Sequence, residues 1–147
     1  MIKEHIISSM ENTSDVASIM TRKVVTVEMD DDLQVAREIL QNVEFHHILV
    51  VEKGRLVGVV SDRDLLKRLC PWLDKLSEKP HGRQTLNVKV HQIMSHKLIT
   101  VSRETNIKTA ARLILKNNIS CLPVVSPQCG IEGIVTWKDI LGFYMKH

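Results

Sequence analysis

Gly58-Val-Val-Ser61-Asp-Arg-Asp64 and Gly133-Ile-Val-Thr136-Trp-Lys-Asp139 are two copies of one pattern: a glycine, two aliphatic residues, a hydroxyl residue, and an acid three positions later. Each lies at the end of a strand pattern and precedes apolar residues at helical spacing, so each marks a strand that turns directly into a helix. Outward from this pair the register holds along the chain. Ile19-Met20 aligns with Ile93-Met94 at a shift of 74 residues, and Lys23 then falls on Lys97, Thr26-Val27 on Thr100-Val101, Ala36 on Ala110, and Val50-Val51 on Val124-Val125. One inserted residue near Cys129-Gly130 raises the shift to 75, which places Gly58, Val60, Asp64 and Leu66 on Gly133, Val135, Asp139 and Leu141. Self-similarity over this length points to a duplicated structural unit.

Within the first copy, Ser14 or Asp15 is placed to cap a short helix ending near Met20, and Val24 to Val27 is a β-branched strand. Asp30-Asp31-Asp32 supply N-cap and first-turn carboxylates for a helix whose apolar face is Leu33, Ala36, Ile39, Leu40 and Val43. His47 to Val51 is a continuous apolar strand, Lys53-Gly54 a turn, and Leu56 to Val60 the returning strand. Asp62 to Leu69 closes the copy as a helix with Leu65, Leu66 and Leu69 on one face. The second copy repeats the order as Val90 to Met94, Leu98 to Val101, Ile107 to Asn117, Cys121 to Val125, Ile131 to Val135 and Trp137 to Tyr144. The expected fold class is α/β, two βαββα-type motifs packed with approximate two-fold symmetry, because neither half can cover both faces of its own sheet. The divisions are an N-terminal segment 1–15, motif 1 at 16–69, a connector 70–88, motif 2 at 89–144 and a tail 145–147. Pro71, Pro80 and Gly82 mark the connector, with a helical turn expected at Trp72 to Leu76.

Composition narrows the function classes. The 147 residues are 44% apolar but only 3% aromatic, so the core is aliphatic and no aromatic platform for single-stranded nucleic acid is available. A net charge of +3 tolerates an anionic ligand without announcing a DNA-binding surface, so nucleic acid ranks last among partners. Cys70, Cys121 and Cys129 are odd in number and lack C-x-x-C spacing, which signals neither a disulfide framework nor zinc. No signal-peptide pattern or membrane-length apolar run is present in the sequence, and a cytoplasmic location with no membrane partner is expected. Catalysis is not expected either: no Ser, His and Asp arrangement is readable, and a metal site at His46-His47 lacks further ligands.

The repeated Ser/Thr-x-x-Asp has two readings. It is a helix N-terminal capping pattern, and a duplicated fold duplicates its caps. It also suits a nucleoside phosphate: a helix N-terminus offers unpaired N–H groups to phosphate, the hydroxyl can donate to an anion, and the carboxylate can accept both hydroxyls of a ribose.

Ile-Met, a strand with Thr-Val, a helix, an apolar strand, Gly-h-h-Ser/Thr-x-x-Asp and a closing helix, present twice over residues 16 to 69 and 89 to 144, resemble the CBS-domain family, named after cystathionine β-synthase. The resemblance implies a disc-like pair with two clefts that bind AMP, ADP or ATP, or an S-adenosyl compound, with no cofactor required and no catalytic domain left over. Carried over, one cleft combines Ser61 and Asp64 with Ile99, Thr100, Cys121 and Leu122; the other combines Thr136 and Asp139 with Val25, Thr26, His46 and His47. His46 and His47 stand where nucleotide-binding members often place basic residues toward phosphate, and their counterparts are Ser120 and Cys121, so the Thr136/Asp139 cleft is the preferred nucleotide site. Equally open is that the histidines are strand-end residues with satisfied hydrogen bonds. Arg22, Lys23, Arg63 and Lys138 could supplement phosphate binding or serve as solvated surface charges. Leu122-Pro123-Val124, common in the family, has Ile48-Leu49-Val50 as its first-copy counterpart, and Pro123 removes a backbone donor from its strand. The family pattern further implies a homodimer through the helices around Leu65 to Leu69 and Ile140 to Tyr144, and regulation of an unidentified protein target. The competing reading is a dimerisation or protein-interaction scaffold that holds no small molecule.

Overall fold

The computed structural model describes residues 14–42, 44–69, 88–128 and 130–146. Val43, Cys129, His147, residues 70–87 of the connector with its expected turn at Trp72 to Leu76, and the N-terminal segment before Ser14 lie outside the described residues. The chain divides into two compact units, and these do not coincide with the linear repeats: the first unit is Val25–Leu98, and the second joins the chain up to Val24 to the chain from Ile99 onward. Each unit therefore contains most of one copy and the opening segment of the other.

The first unit is built on a three-stranded sheet of β1 (Thr26–Glu28), β2 (His47–Glu52) and β3 (Arg55–Ser61), with β1 parallel and β3 antiparallel to β2. Lys53 and Gly54 both take positive φ, 52° and 79°, the conformation a two-residue hairpin turn needs to match strand twist. Helix α1 (Leu33–Leu40) packs its face through Leu33 and Ala36, both fully buried, and α2 (Asp62–Leu69) follows β3 without a loop. Ala36, Ile48, Val50 and Val60 form the core with Val90 and Met94 from the second copy's opening segment. Truncating a fully buried leucine such as Leu33 would cost about 2–5 kcal/mol.

In the second unit, β4 (Cys121–Val125) pairs antiparallel with β5 (Ile131–Thr136), flanked by α3 (Ile107–Asn117) and α4 (Trp137–Lys146). Val16 and Met20 from the start of the chain join Ile107, Ala110, Leu122, Val124 and Val135 in its core. Both hairpins carry a register shift at equivalent places, between Val50 and Val51 and between Val124 and Val125. Bulges conserved between the copies bend the strands just beside the motif glycines.

The opening segments are held by the same bonds in both units. Val16 N donates to Thr105 O at 2.8 Å and Ala17 N to Arg103 O at 3.0 Å; at the 74-residue shift, Val90 N donates to Asp31 O at 2.8 Å and His91 N to Met29 O at 3.1 Å. Each expected opening helix is a single 3-10 turn, Val16–Ser18 and Val90–Gln92. It stops there because the chain must extend at once: Thr21 forms an antiparallel bridge with Ile134, and Ser95 forms one with Val59. Asp15 occupies the N-cap position without capping through its side chain.

Three further expectations are corrected. Asp32 is at the N-cap of α1, but its carboxylate makes no capping bond; it pairs with Lys89 Nζ at 2.8 Å, while Asp31 Oδ2 accepts from Glu28 N at 2.9 Å. The equivalent Asn106 does cap α3, accepting from Lys108 N at 2.8 Å. Leu66 is exposed while Leu65 is buried, as successive residues on a helix point about 100° apart. Leu98 to Val101 forms no strand, only the bridge of Val101 to Val124. Proline is the reason. In the first copy Leu49 N donates to Val25 O at 3.0 Å, whereas its counterpart Pro123 has no N–H, so pairing begins only where Val101 N reaches Pro123 O at 3.0 Å.

Candidate functional site

Both motifs lie where the sequence puts them, at a strand end that becomes the first turn of a helix. Ser61 ends β3 and Thr136 ends β5. The glycines that open the motifs permit a close approach. A Cβ on Gly133 would lie 2.7 Å from Thr21 O, and one on Gly58 would run into the Met94 side chain, so in each unit the Ile-Met segment of the other copy presses on a bare Cα.

The capping reading is realised in both copies. Ser61 N donates to Asp64 Oδ2 at 2.9 Å and Asp64 N donates to Ser61 Oγ at 3.1 Å; Thr136 N donates to Asp139 Oδ2 at 2.9 Å and Asp139 N to Thr136 Oγ1 at 3.3 Å. Such reciprocal bonds satisfy two donors at the helix start. They do not exhaust the carboxylates. Among the described residues, every bond to these carboxylates uses Oδ2, and the second oxygen of Asp64 and of Asp139 takes none. A fixed carboxylate with one uncommitted oxygen at a half-buried helix N-terminus is suited to receive hydroxyl donors.

The two copies differ in how the carboxylate is held. Asp139 Oδ2 also accepts from Thr136 Oγ1 at 3.1 Å and from Thr21 Oγ1 at 3.5 Å, while Asp64 Oδ2 has Ser61 N alone among the described residues. Thr21 was not legible as a site residue, since it lies 118 positions from Asp139 and only the exchange of opening segments brings them together.

Of the remaining expected site residues, Val25, Thr26, His46 and His47 fall in the first unit with Ser61 and Asp64; Ile99, Thr100, Cys121 and Leu122 fall in the second with Thr136 and Asp139. Within a unit, His47 is the cross-strand partner of Ser61, and Cys121 of Thr136. Thr26 and Thr100 are exposed, Val25 and Ile99 half-buried, and Cys121 and Leu122 buried. His46 has a local partner: its Nδ1 lies 3.0 Å from Asp62 Oδ2, and its carbonyl accepts from Asp62 N at 3.0 Å. One ring nitrogen of His46 is thus engaged at the strand end, and Nε2 takes no bond among the described residues. In the second copy Trp137 N donates to Ser120 O at 3.0 Å, so the backbone link is retained. Arg22 and Arg63 are exposed, and Lys138 Nζ lies 5.8 Å from the centroid of the exposed Trp137 ring, a cation–π distance. No group of three or more metal-ligating side chains occurs among the described residues, and no described helix is long and apolar enough to cross a membrane.

This geometry defines a tandem pair of small α/β motifs, each closing on a capped Ser/Thr-x-x-Asp. The chain belongs to the CBS-domain family, which matches residues 16–70 and 90–146. Protein MJ1225 of Methanocaldococcus jannaschii is 30% identical over 141 residues, which are 95% of this chain and 50% of MJ1225. Its crystal structure superposes with a TM-score of 0.74. The chain thus spans about half the length of that relative. CBSX2, solved in complex with AMP, is 31% identical with a TM-score of 0.70, over 90% of this chain and 96% of CBSX2. The CBS domain pair of protein MJ0100, solved with 5′-methylthioadenosine and S-adenosyl-L-methionine, is 25% identical with a TM-score of 0.74, over 90% of this chain and 97% of that pair.

Proposed function

We propose that this chain is a non-catalytic regulatory module that senses an adenine compound: AMP, ADP or ATP, with an S-adenosyl compound as the further candidate. The observation that carries the reading is the second oxygen of the two motif carboxylates, uncommitted among the described residues while the capping bonds hold the group at a helix N-terminus. A carboxylate so fixed can accept the two hydroxyls of a ribose, and the positive end of the helix dipole beside it favours phosphate. The two similar structures that hold adenosine-containing ligands support the same chemistry.

Thr136 and Asp139, with Val25, Thr26, His46 and His47, are the preferred contact residues; Ser61 and Asp64, with Ile99, Thr100, Cys121 and Leu122, are the second set. Location in the cytoplasm, a homodimer and regulation of a separate protein belong to the same proposal. A thermal-shift series tests it: AMP, ADP or ATP should raise the melting temperature by an amount that grows with ligand concentration. No shift with any of them at millimolar concentration would favour the scaffold reading. One observation speaks for that reading too: Trp137, Leu141, Tyr144 and Met145 are all exposed on α4, at a spacing that gathers them along the helix. A second copy of this chain is the occupant the family pattern suggests for them.

A further inference from the structure

We propose that Thr21 is a positioning residue for ribose recognition, acting through Asp139. The proposal rests on the reading of Asp139 as the ribose acceptor. Thr21 is fixed by its backbone: its N donates to Ile134 O at 2.8 Å and its carbonyl accepts from Ile134 N at 2.9 Å, two residues before Thr136. Bare Gly133 lets that carbonyl approach so closely. The hydroxyl of Thr21 is thereby carried to 3.5 Å from Asp139 Oδ2, on which Thr136 N and Thr136 Oγ1 also converge at 2.9 and 3.1 Å. Two short bonds from Thr136 and the longer one from Thr21 hold Asp139 in one χ1 rotamer and present Oδ1 as the acceptor. The Thr21 bond is long in the free protein, as functional hydrogen bonds often are before a ligand tightens them.

The other copy supplies an internal comparison. Ser95 is the counterpart of Thr21 and is pinned to Val59 by bonds of 2.8 and 3.3 Å, yet no bond from its hydroxyl to Asp64 occurs among the described residues. The two motifs therefore differ in one arm, and Asp139 is the more firmly oriented acceptor. Oriented donors and acceptors bind better because less ordering remains to be done on association.

The test uses the full chain with Thr21→Val, which removes the hydroxyl at constant shape, and Thr21→Ser, which retains it. Calorimetric affinities are measured for AMP and for 2′,3′-dideoxy-AMP, which lacks both hydroxyls. Thr21→Val should weaken AMP about three- to tenfold, leave dideoxy-AMP unchanged, and be rescued by Thr21→Ser. An equal loss for both ligands, no loss, or no rescue overturns the proposal. A ligand-free measurement separates it from the parent reading: the Hα–Hβ couplings of Asp139 should report one side-chain rotamer in the wild type and in Thr21→Ser, and averaging in Thr21→Val. Unchanged couplings in Thr21→Val overturn the positioning role, whether or not AMP binds; failure of the wild type to bind AMP overturns the ribose reading.

Discussion

The same substitution, glycine to alanine, should have opposite effects at Gly133 and Gly142. At Gly133 the new methyl would stand 2.7 Å from Thr21 O and 3.2 Å from Met20 Sδ. The first neighbour is backbone, bonded to Ile134 N at 2.9 Å, so the clash is relieved only by moving the opening segment off β5. Overpacking of this kind costs about 1–3 kcal/mol, and weakening either Thr21–Ile134 hydrogen bond adds about 0.5–1.5 kcal/mol. At Gly142, inside α4, a Cβ meets nothing within 4 Å, so alanine should stabilise by about 0.5–1 kcal/mol through helix propensity alone. Gly58→Ala should destabilise too, but by less than Gly133→Ala, because its principal clash is with the buried Met94 side chain and the backbone Ser95 O stands farther off, at 3.1 Å. Urea denaturation with a common m-value measures all three. Gly133→Ala as stable as the wild type would mean that Thr21 does not cross β5 as described. Loss of stability in Gly142→Ala would mean that the α4 face is covered there.

Two more predictions concern charge. Asp139→Ala removes the acceptor for Thr136 N and should cost about 0.5–2 kcal/mol of stability as a lost cap, so it does not isolate ligand binding. Asp139→Asn keeps an oxygen acceptor; its melting temperature should stay near that of the wild type while AMP affinity falls about tenfold, the difference between a charged and a neutral hydrogen bond. The Lys89 ammonium is held above its ordinary pKa of 10.5 by the hydrogen bond it donates to Asp32 and then by that carboxylate's charge. A folded-state pKa raised above the unfolded value stabilises fully below the unfolded pKa and is lost as pH rises through the folded one. The wild type should therefore lose melting temperature more steeply than Lys89→Met above about pH 10.5, and parallel curves would remove the pair from the account of stability.

Much of the fold was legible because its local signals agree. The limits of α3, Ile107–Asn117, and of β4, Cys121–Val125, match the apolar pattern residue for residue, and Lys53-Gly54 is the turn its composition demands. What stayed hidden is long-range. Nothing local tells Val16 and Met20 to pack with Ile107 and Leu122, since the equivalent first-copy residues offer the same aliphatic pattern. Asp32 reads as a cap until Lys89 is seen beside it, and Leu98 to Val101 reads as a strand until Pro123 is recognised as the missing donor. At the candidate site, spacing alone placed Ser61, Asp64, Thr136 and Asp139 correctly on two helix starts. It could not show that His46 is engaged by Asp62, nor that Thr21 reaches Asp139.

Direct calorimetric titration of the wild-type chain with AMP, ADP, ATP and S-adenosylmethionine tests the sensing function most directly. Saturable binding of at least one of them, weakened in Asp139→Asn, is the expected result. A folded protein that binds none of the four at millimolar concentration would contradict it and leave the duplicated motif as a set of helix caps.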